Sequence, residues 1–328
     1  MEIQEIKNFV ESNRFFVTGG AGFIGSNIVG ELVKLGAKEI VVYDDLSTGF
    51  EHNIKEFSEQ KNFKFIKGSI TDFEYCLEAM KGMDVVLHLA ALGSVPRSID
   101  NPLATNEVNV VGFLNVLNAA RLNQVRKVVY SSSSSVYGDN QRLPKVEHEI
   151  GNPLSPYAVS KRTNELYAET FRGLYDMDIV GLRYFNVFGP KQNIKGPYAA
   201  VIPIFIQNLL KKEPCYINGD GKISRDFTFV SNVVYANLCA AKEDVNTDLN
   251  LFNVAMGDQL SLLDLYKQLE KQIQSGLSPI HREKRKGDID SSLADISRAK
   301  RILKYQPNCD FEEGIQKTVN WYREHSNE

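Results

Sequence analysis

Short apolar runs recur along the first half of the chain, and stretches with helical apolar spacing separate them. Phe15-Phe16-Val17, Glu39-Ile40-Val41-Val42-Tyr43, Phe63-Lys64-Phe65-Ile66, Asp84 to Leu89, Arg126 to Tyr130 and Ile179 to Arg183 read as strands. The helical stretches are Ile28, Val29, Leu32 and Val33 after the first strand, Phe73 to Met80, Pro102 to Leu122, and Pro156 to Tyr175. Residues 2–12 predict a short extra helix ahead of the first strand. Such β/α alternation predicts a parallel sheet covered by helices on both faces, with ligands at the carboxyl ends of its strands.

After Tyr184 the alternation degrades. Gly189-Pro190, Gly196-Pro197 and Asn218-Gly219-Asp220-Gly221 mark a loop-rich region suited to binding. Val230 to Ala241 then reads as helix, and Leu251-Phe252-Asn253-Val254 as a strand returning to the main sheet. Helical patterns follow at 262–273, 296–303 and 311–322. The expected division is a nucleotide-binding domain of residues 1–185, with 230–255 returning to it. Residues 186–229 and 256–328 form a smaller C-terminal α/β domain for the substrate.

The turn after the first strand carries the first candidate chemistry. Thr18-Gly19-Gly20-Ala21-Gly22-Phe23-Ile24-Gly25 places glycines at a spacing of three, between a strand and a helix. They serve a tight turn, a close approach of backbone to a pyrophosphate, and close packing of helix on strand. The helix start adds unpaired N–H groups and a positive dipole end. Tight turns in other α/β proteins use glycine too, so the next strand matters. It ends in Asp44, about 20 residues past the last glycine, where an acid binds ribose hydroxyls. A carboxylate there repels a 2′-phosphate, which favours NAD over NADP. Asp45 reads as a solvated or turn residue. The fold class is therefore α/β, a doubly wound parallel sheet of the Rossmann type.

Composition narrows the partners. The 328 residues carry a formal net charge of −3 and an isoelectric point near 6.0, which argues against nucleic-acid and membrane-surface binding. The most basic stretch, His281 to Lys286, runs at once into Asp288 and Asp290. Cys76, Cys215, Cys239 and Cys309 are scattered, with no metal-ligand spacing, and read as reduced, mostly buried thiols of a cytoplasmic protein. The first residues have neither a basic region nor an apolar core, so no signal peptide is expected. No apolar run approaches membrane-spanning length.

The five serines 131–135 end one strand and precede Val136-Tyr137-Gly138. Alone they read as a polar loop; at a strand end of this sheet, small hydroxyls can contact a sugar without crowding it. Farther on, Ser155 is a good N-cap and Pro156 suits the first helical position, so Tyr157 falls in the first turn of its helix. Lys161 lies on the same face, four residues on. A phenol titrates near 10, and an adjacent ammonium together with a nicotinamide cation would stabilise its phenolate. A pair at this spacing arises by chance about once in a chain with 14 tyrosines. Its place after a glycine turn and a serine-bearing strand end gives it weight.

Together these residues resemble the extended short-chain dehydrogenase/reductases. The matches are the glycine turn, Asp44, Leu89-Ala90-Ala91, Asn109, Ser133 with Val136-Tyr137-Gly138, Tyr157/Lys161 and Arg183-Tyr184-Phe185-Asn186. Within that family the chain looks most like the UDP-hexose 4-epimerases, especially the branch acting on N-acetylated UDP-hexosamines. The supporting segments are Ala91 to Ser98, Pro197 to Pro203, Asn218 to Gly221 and Gly287-Asp288 leading to Ser292-Leu293-Ala294-Asp295. The resemblance implies that Tyr157, assisted by Ser133 and Ser134, takes the C4 hydroxyl proton while hydride passes to a tightly held NAD. The 4-keto sugar then turns its other face and is reduced, giving inverted C4 with no net redox. Lys161 would bind the nicotinamide ribose and tune the tyrosine.

The resemblance also assigns contacts. Gly19, Gly22, Phe23, Ile24, Gly25, Asp44, Ile70, Leu89, Ala90, Ala91, Asn109, Lys161 and Tyr184 would hold the cofactor. Gly93, Ser94, Ser133, Tyr157, Asn186, Val201 (through its backbone), Tyr216, Asn218, Arg225, Arg285, Asp288 and Ser292 would hold the UDP-sugar. Arg225 and Arg285 match pyrophosphate-binding arginines, a task that suits planar guanidiniums; without the resemblance they read as solvated surface residues. Tyr216 would pack on uracil, or else be a core strand residue.

Three positions depart from the commoner epimerase pattern. Ser69 stands where an aspartate often contacts adenine. Gly93-Ser94 replace a lysine-bearing segment, leaving room and a hydroxyl. Ser292 stands where a bulky aromatic narrows the hexose pocket, opening space for a C2 acetamido group, unless it is an ordinary exposed serine. Ser134 and Ser135 fall where a 4,6-dehydratase needs an acid/base pair, and Ser135 where a decarboxylase needs glutamate. An NAD-sensing regulator on this fold would lack the tyrosine–lysine pair. Helices 102–122 and 156–175 resemble those that pair across a two-fold axis, so a homodimer is expected by analogy.

Overall fold

The computed structural model describes residues 2–194, 200–283 and 291–325. Its main sheet has seven parallel strands. Six are β1 (Arg14–Thr18), β2 (Glu39–Asp44), β3 (Phe63–Lys67), β4 (Val85–His88), β5 (Lys127–Ser133) and β6 (Asp178–Tyr184). The seventh, Leu251–Val254, returns beside β6, pairing Phe252 with Leu182. In space the order is Leu251–Val254, β6, β5, β4, β1, β2, β3. The order reverses between β1 and β4, and the carboxyl ends splay into a crevice there. Register sets Thr18 level with Tyr43 on one side and His88 on the other, so Asp44, Thr18 and His88 all reach the crevice edge.

The apolar pattern behaves as a doubly covered sheet requires. Nearly every residue of β1, β2, β4, β5 and β6 is buried, whereas the edge strand β3 is only partly so. One core cluster packs Phe15, Val17, Ile28, Val29 and Leu32 with Val233 and Phe252; another packs Phe16, Val41, Val86, Phe113, Val116 and Val128 on the opposite face. The extra N-terminal helix, Glu2–Ser12, buries Ile6 and Val10 in the first cluster. A third core, drawn from residues between Phe188 and Tyr322, joins helices Val201–Leu210, Leu262–Ile273 and Phe311–Glu324. All four cysteines are buried free thiols.

Three elements differ from the sequence reading. The expected single helix 102–122 is Pro102–Asn106 and Gly112–Leu122 joined by a π turn at Glu107–Val111. The π turn falls where Asn109 reaches in to hydrogen-bond the chain leaving β4. Most of the expected helix 296–303 is likewise a π turn, Ala299–Leu303. Helix Val201–Leu210 was hidden by flanking glycine and proline, although Ile202, Phe205, Ile206 and Leu209 are buried at helical spacing.

Candidate active site

The glycine turn is built by contact rather than by flexibility. At Gly19 (φ +68°) an added Cβ would lie 2.6 Å from the Ala90 nitrogen, and at Gly25 one would lie 2.1 Å from the Gly19 oxygen. Only bare backbone lets the helix after β1 sit this close to β1 and β4. That helix, Phe23–Lys34, has Gly22 at its N-cap and no side-chain cap, so no side chain competes for its leading amides. Asp44 is oriented from both sides: Oδ2 accepts the Ala21 N–H at 2.9 Å and Oδ1 the Leu46 N–H at 2.8 Å. Burial pushes its carboxyl up, and the two amides pull it partly back.

Across the turn, Ala90 N–H donates to Thr18 Oγ1, which lies 2.7 Å from His88 Nδ1. Burial, and secondarily the Lys161 charge, push His88 down to about 3, so it stays neutral.

A cleft of about 550 Å³ runs from Asp44 past the glycine turn to the ends of β4, β5 and β6. Gly19, Gly22, Phe23, Ile24, Gly25, Asp44, Ile70, Leu89, Ala90, Ala91, Lys161 and Tyr184 line it, as do Gly93, Ser94, Ser133, Ser134, Tyr157 and Asn186. Glycine cradle, uncapped helix start and oriented carboxylate fit a dinucleotide along its length. Asn109 does not line the cleft. It is buried, its Oδ1 accepting the Leu92 N–H at 2.7 Å and its Nδ2 donating to Leu92 O and Ser160 Oγ, and so fastens the β4 exit to the tyrosine-bearing helix. Ser69 does not line the cleft either; its hydroxyl hydrogen-bonds that of Thr71 at 2.9 Å.

Ser155 caps the helix Pro156–Tyr175 by accepting the Ala158 N–H at 3.1 Å, which fixes Tyr157 in the first turn. Burial pushes the Tyr157 hydroxyl up, and the neighbouring Ser133 hydroxyl draws it partly back. Lys161 Nζ donates to Ser131 O at 2.7 Å and to Ser131 Oγ at 3.3 Å. Its side chain is almost wholly enclosed, and burial pushes it down to about 8, opposed by Glu165. The lysine is thus anchored on β5, not on the phenol, and burial with Ser133 governs the phenol.

One turn farther along the same helix, Glu165 binds Arg183 of β6 bidentately at 2.8 and 2.9 Å. It also accepts from Ser132 Oγ at 2.7 Å and Arg162 at 3.0 Å. Burial would raise this carboxyl, but the arginines and Ser132 hold it below its ordinary value. Arg183 lies over the Tyr137 ring at 4.8 Å, and the Tyr137 hydroxyl donates to Asn253.

The expected sugar-side residues divide. Ser94 lines the cleft with its hydroxyl accepting the Arg97 N–H as a helix cap. Asn186 lines it from a left-handed backbone (φ +34°), donating to Asp226 O. Outside the cleft lining, Arg225 and Ser292 are brought together: Ser292 N–H donates to Ser224 O at 3.2 Å, and Arg225 Nη1 to the same carbonyl at 2.8 Å. Val201 starts its helix, and Asn218 ends the short strand Tyr216–Asn218. Tyr216 is exposed, not a core residue, with the Arg282 guanidinium 3.3 Å above its ring. Arg285 and Asp288 lie outside the described residues.

Other cleft residues went unrecognised in the sequence: Ser47, Thr48, Phe50 and Asn53 beyond β2, and Lys191, Gln192 and Asn193 opposite them. The Gly189-Pro190 turn was the sole local signal for the second group. Asp45 also lines the cleft, while its carboxylate accepts the Ser47 N–H in a turn.

The NAD dependent epimerase/dehydratase family model matches residues 15–255, and the chain belongs to that family. Its cofactor is NAD. It is similar to a solved UDP-N-acetylglucosamine 4-epimerase from Methanobrevibacter ruminantium M1 in complex with UDP-N-acetylmuramic acid, with 40% identity, a TM-score of 0.91 and coverage of 95% of this chain and 99% of that one. A UDP-glucose 4-epimerase of Mycolicibacterium smegmatis is 39% identical over 95% of this chain and 99% of its own. A UDP-glucuronate 4-epimerase of Thermodesulfobacterium geofontis is 32% identical over 94% and 96%. Among the described residues no helix is long and apolar enough to cross a membrane.

Proposed function

We propose that the protein interconverts UDP-N-acetylglucosamine and UDP-N-acetylgalactosamine by inverting C4 through a transient 4-keto sugar. The observation that carries this reading is the strand end itself. Ser133 and Tyr157 line the cleft together, and the two residues after Ser133 are serines, so no acid/base pair is there to eliminate water or drive decarboxylation. NAD, when bound, supplies the acceptor and later the donor of the C4 hydride. Tyr157 receives the C4 hydroxyl proton and returns it to the keto oxygen on the other face. Ser133 holds that oxygen, and Lys161, fixed on Ser131, would hold the ribose of the cofactor and supply a positive charge there.

Room for the acetamido group is the supporting argument for the hexosamine. A Cβ added at Gly93 would meet nothing within 4 Å, and Ser292, a small residue, lies against the Ser224-Arg225 segment. In this reading 186–229 and 256–328 form the sugar-nucleotide half, with Arg225 on the pyrophosphate. A homodimer fits the exposed apolar side chains Leu103 and Val111 on one helical segment and Val159 and Leu166 on the other. Four free buried thiols fit a cytoplasmic location.

Proton NMR of the purified protein with UDP-GlcNAc or UDP-Glc, without added cofactor, tests the reading. Conversion mainly of UDP-GlcNAc supports it. Conversion of UDP-Glc or a UDP-uronic acid alone keeps the chemistry and discards the hexosamine assignment; no conversion even with NAD added overturns both. Ser292→Tyr is expected to abolish turnover of the acetylated sugar selectively, and equal loss on both sugars would contradict the pocket argument.

A further inference from the structure

We propose that Lys191 is a cofactor-retaining latch, closing the segment Gly189–Gln192 as a strap across the adenosine end of the cleft. Lys191 Nζ donates to Asn53 O and to Glu56 Oε1, both at 2.8 Å, and stands 5.3 Å from the Phe57 ring. Lys191 and Asn53 line opposite walls of the same cleft, so their bond spans it. The far wall is the one that carries Asp44: Ala21 donates its N–H to Asp44 and accepts Asn53 Nδ2 at 2.9 Å on its carbonyl.

The strap is held at other points as well. Asn27, on the helix of the glycine turn, donates to Pro190 O at 3.2 Å, and the Tyr322 hydroxyl donates to Gln192 O. The chain reaches this position through a left-handed residue at Lys191 (φ +68°). A half-exposed ion pair alone contributes little. The bond to the Asn53 carbonyl is charge-assisted and mostly enclosed, the lysine side chain being 17% exposed. An oxidation followed by reduction of the same molecule needs such a device, because reduced cofactor that escapes strands a keto sugar.

The inference extends the epimerase reading but is tested without any sugar. Holoenzyme loaded with NAD is desalted, and nucleotide release is followed by absorbance of the filtrate over time. K191A is expected to release NAD at least 10-fold faster than wild type. K191Q, which keeps length and polarity, should shift in the same direction by less, and E56Q by under about 3-fold because the Asn53 bond remains. In turnover assays K191A should become dependent on added NAD. Release at the wild-type rate from both K191A and K191Q overturns the proposal, whatever the sugar specificity turns out to be.

Discussion

Two buried polar clusters occupy the helix Pro156–Tyr175 one turn apart, and they are built on opposite terms. Around Glu165 every charge is met: Arg183 bidentately, Arg162 and Ser132 besides, with burial outweighed by its partners. Around Lys161 the ammonium has two neutral Ser131 oxygens and, among the described residues, no carboxylate in contact, and burial pushes it down to about 8. The first arrangement fixes the helix on β5 and β6. The second keeps a destabilised charge beside Tyr157, ready for a ligand. A folded site can carry such a charge because the neighbouring turn is so firmly pinned.

Breaking each cluster should therefore give opposite signatures. The largest effect is expected from Tyr157→Phe, which removes the proposed proton acceptor: turnover should fall by about 1,000-fold with an unchanged melting curve. Glu165→Gln should act through stability, costing about 3–5 kcal/mol because buried arginines lose their counter-charge, read by chemical denaturation. Lys161→Met should lower turnover by about 100-fold yet raise stability by about 1–3 kcal/mol, since a pKa depressed by burial marks a charge that costs folding energy. A parallel loss of stability in that variant would contradict the contrast.

The smallest effect is a pH dependence. Lys161 has a folded value near 8 against about 10.4 unfolded, so its charge costs stability below pH 8. That cost is relieved as pH rises from about 8 to above 10. Activity should move the other way, falling severalfold as pH passes through about 8 and the ammonium is lost. Paired pH–rate and pH–melting profiles read both trends.

Where the candidate site depends on local chemistry, its outline was legible in the chain. The glycine turn, the acid closing an apolar run at Asp44, and the capped Tyr157/Lys161 pair are each announced by residues within a few positions, and the strands of the sheet follow from apolar runs. Residues whose role depends on distant partners were harder to read. Asn109 matched a motif, but its task is to tie Leu92 to Ser160, which nothing near it in sequence announces. Lys191 meets Asn53 across 138 positions, and Arg225 meets Ser292 through the Ser224 carbonyl. Helix Val201–Leu210 had the right apolar spacing, but the glycine and proline around it masked the pattern.

The central claim is that one tyrosine-centred site oxidises and re-reduces the same sugar carbon. It is tested most directly with UDP-N-acetylglucosamine deuterated at C4, followed by NMR through to equilibrium. The account predicts that product and substrate both keep deuterium at C4, with no reduced cofactor accumulating in solution. Deuterium washed into solvent, or appearing in free NADH, would contradict it.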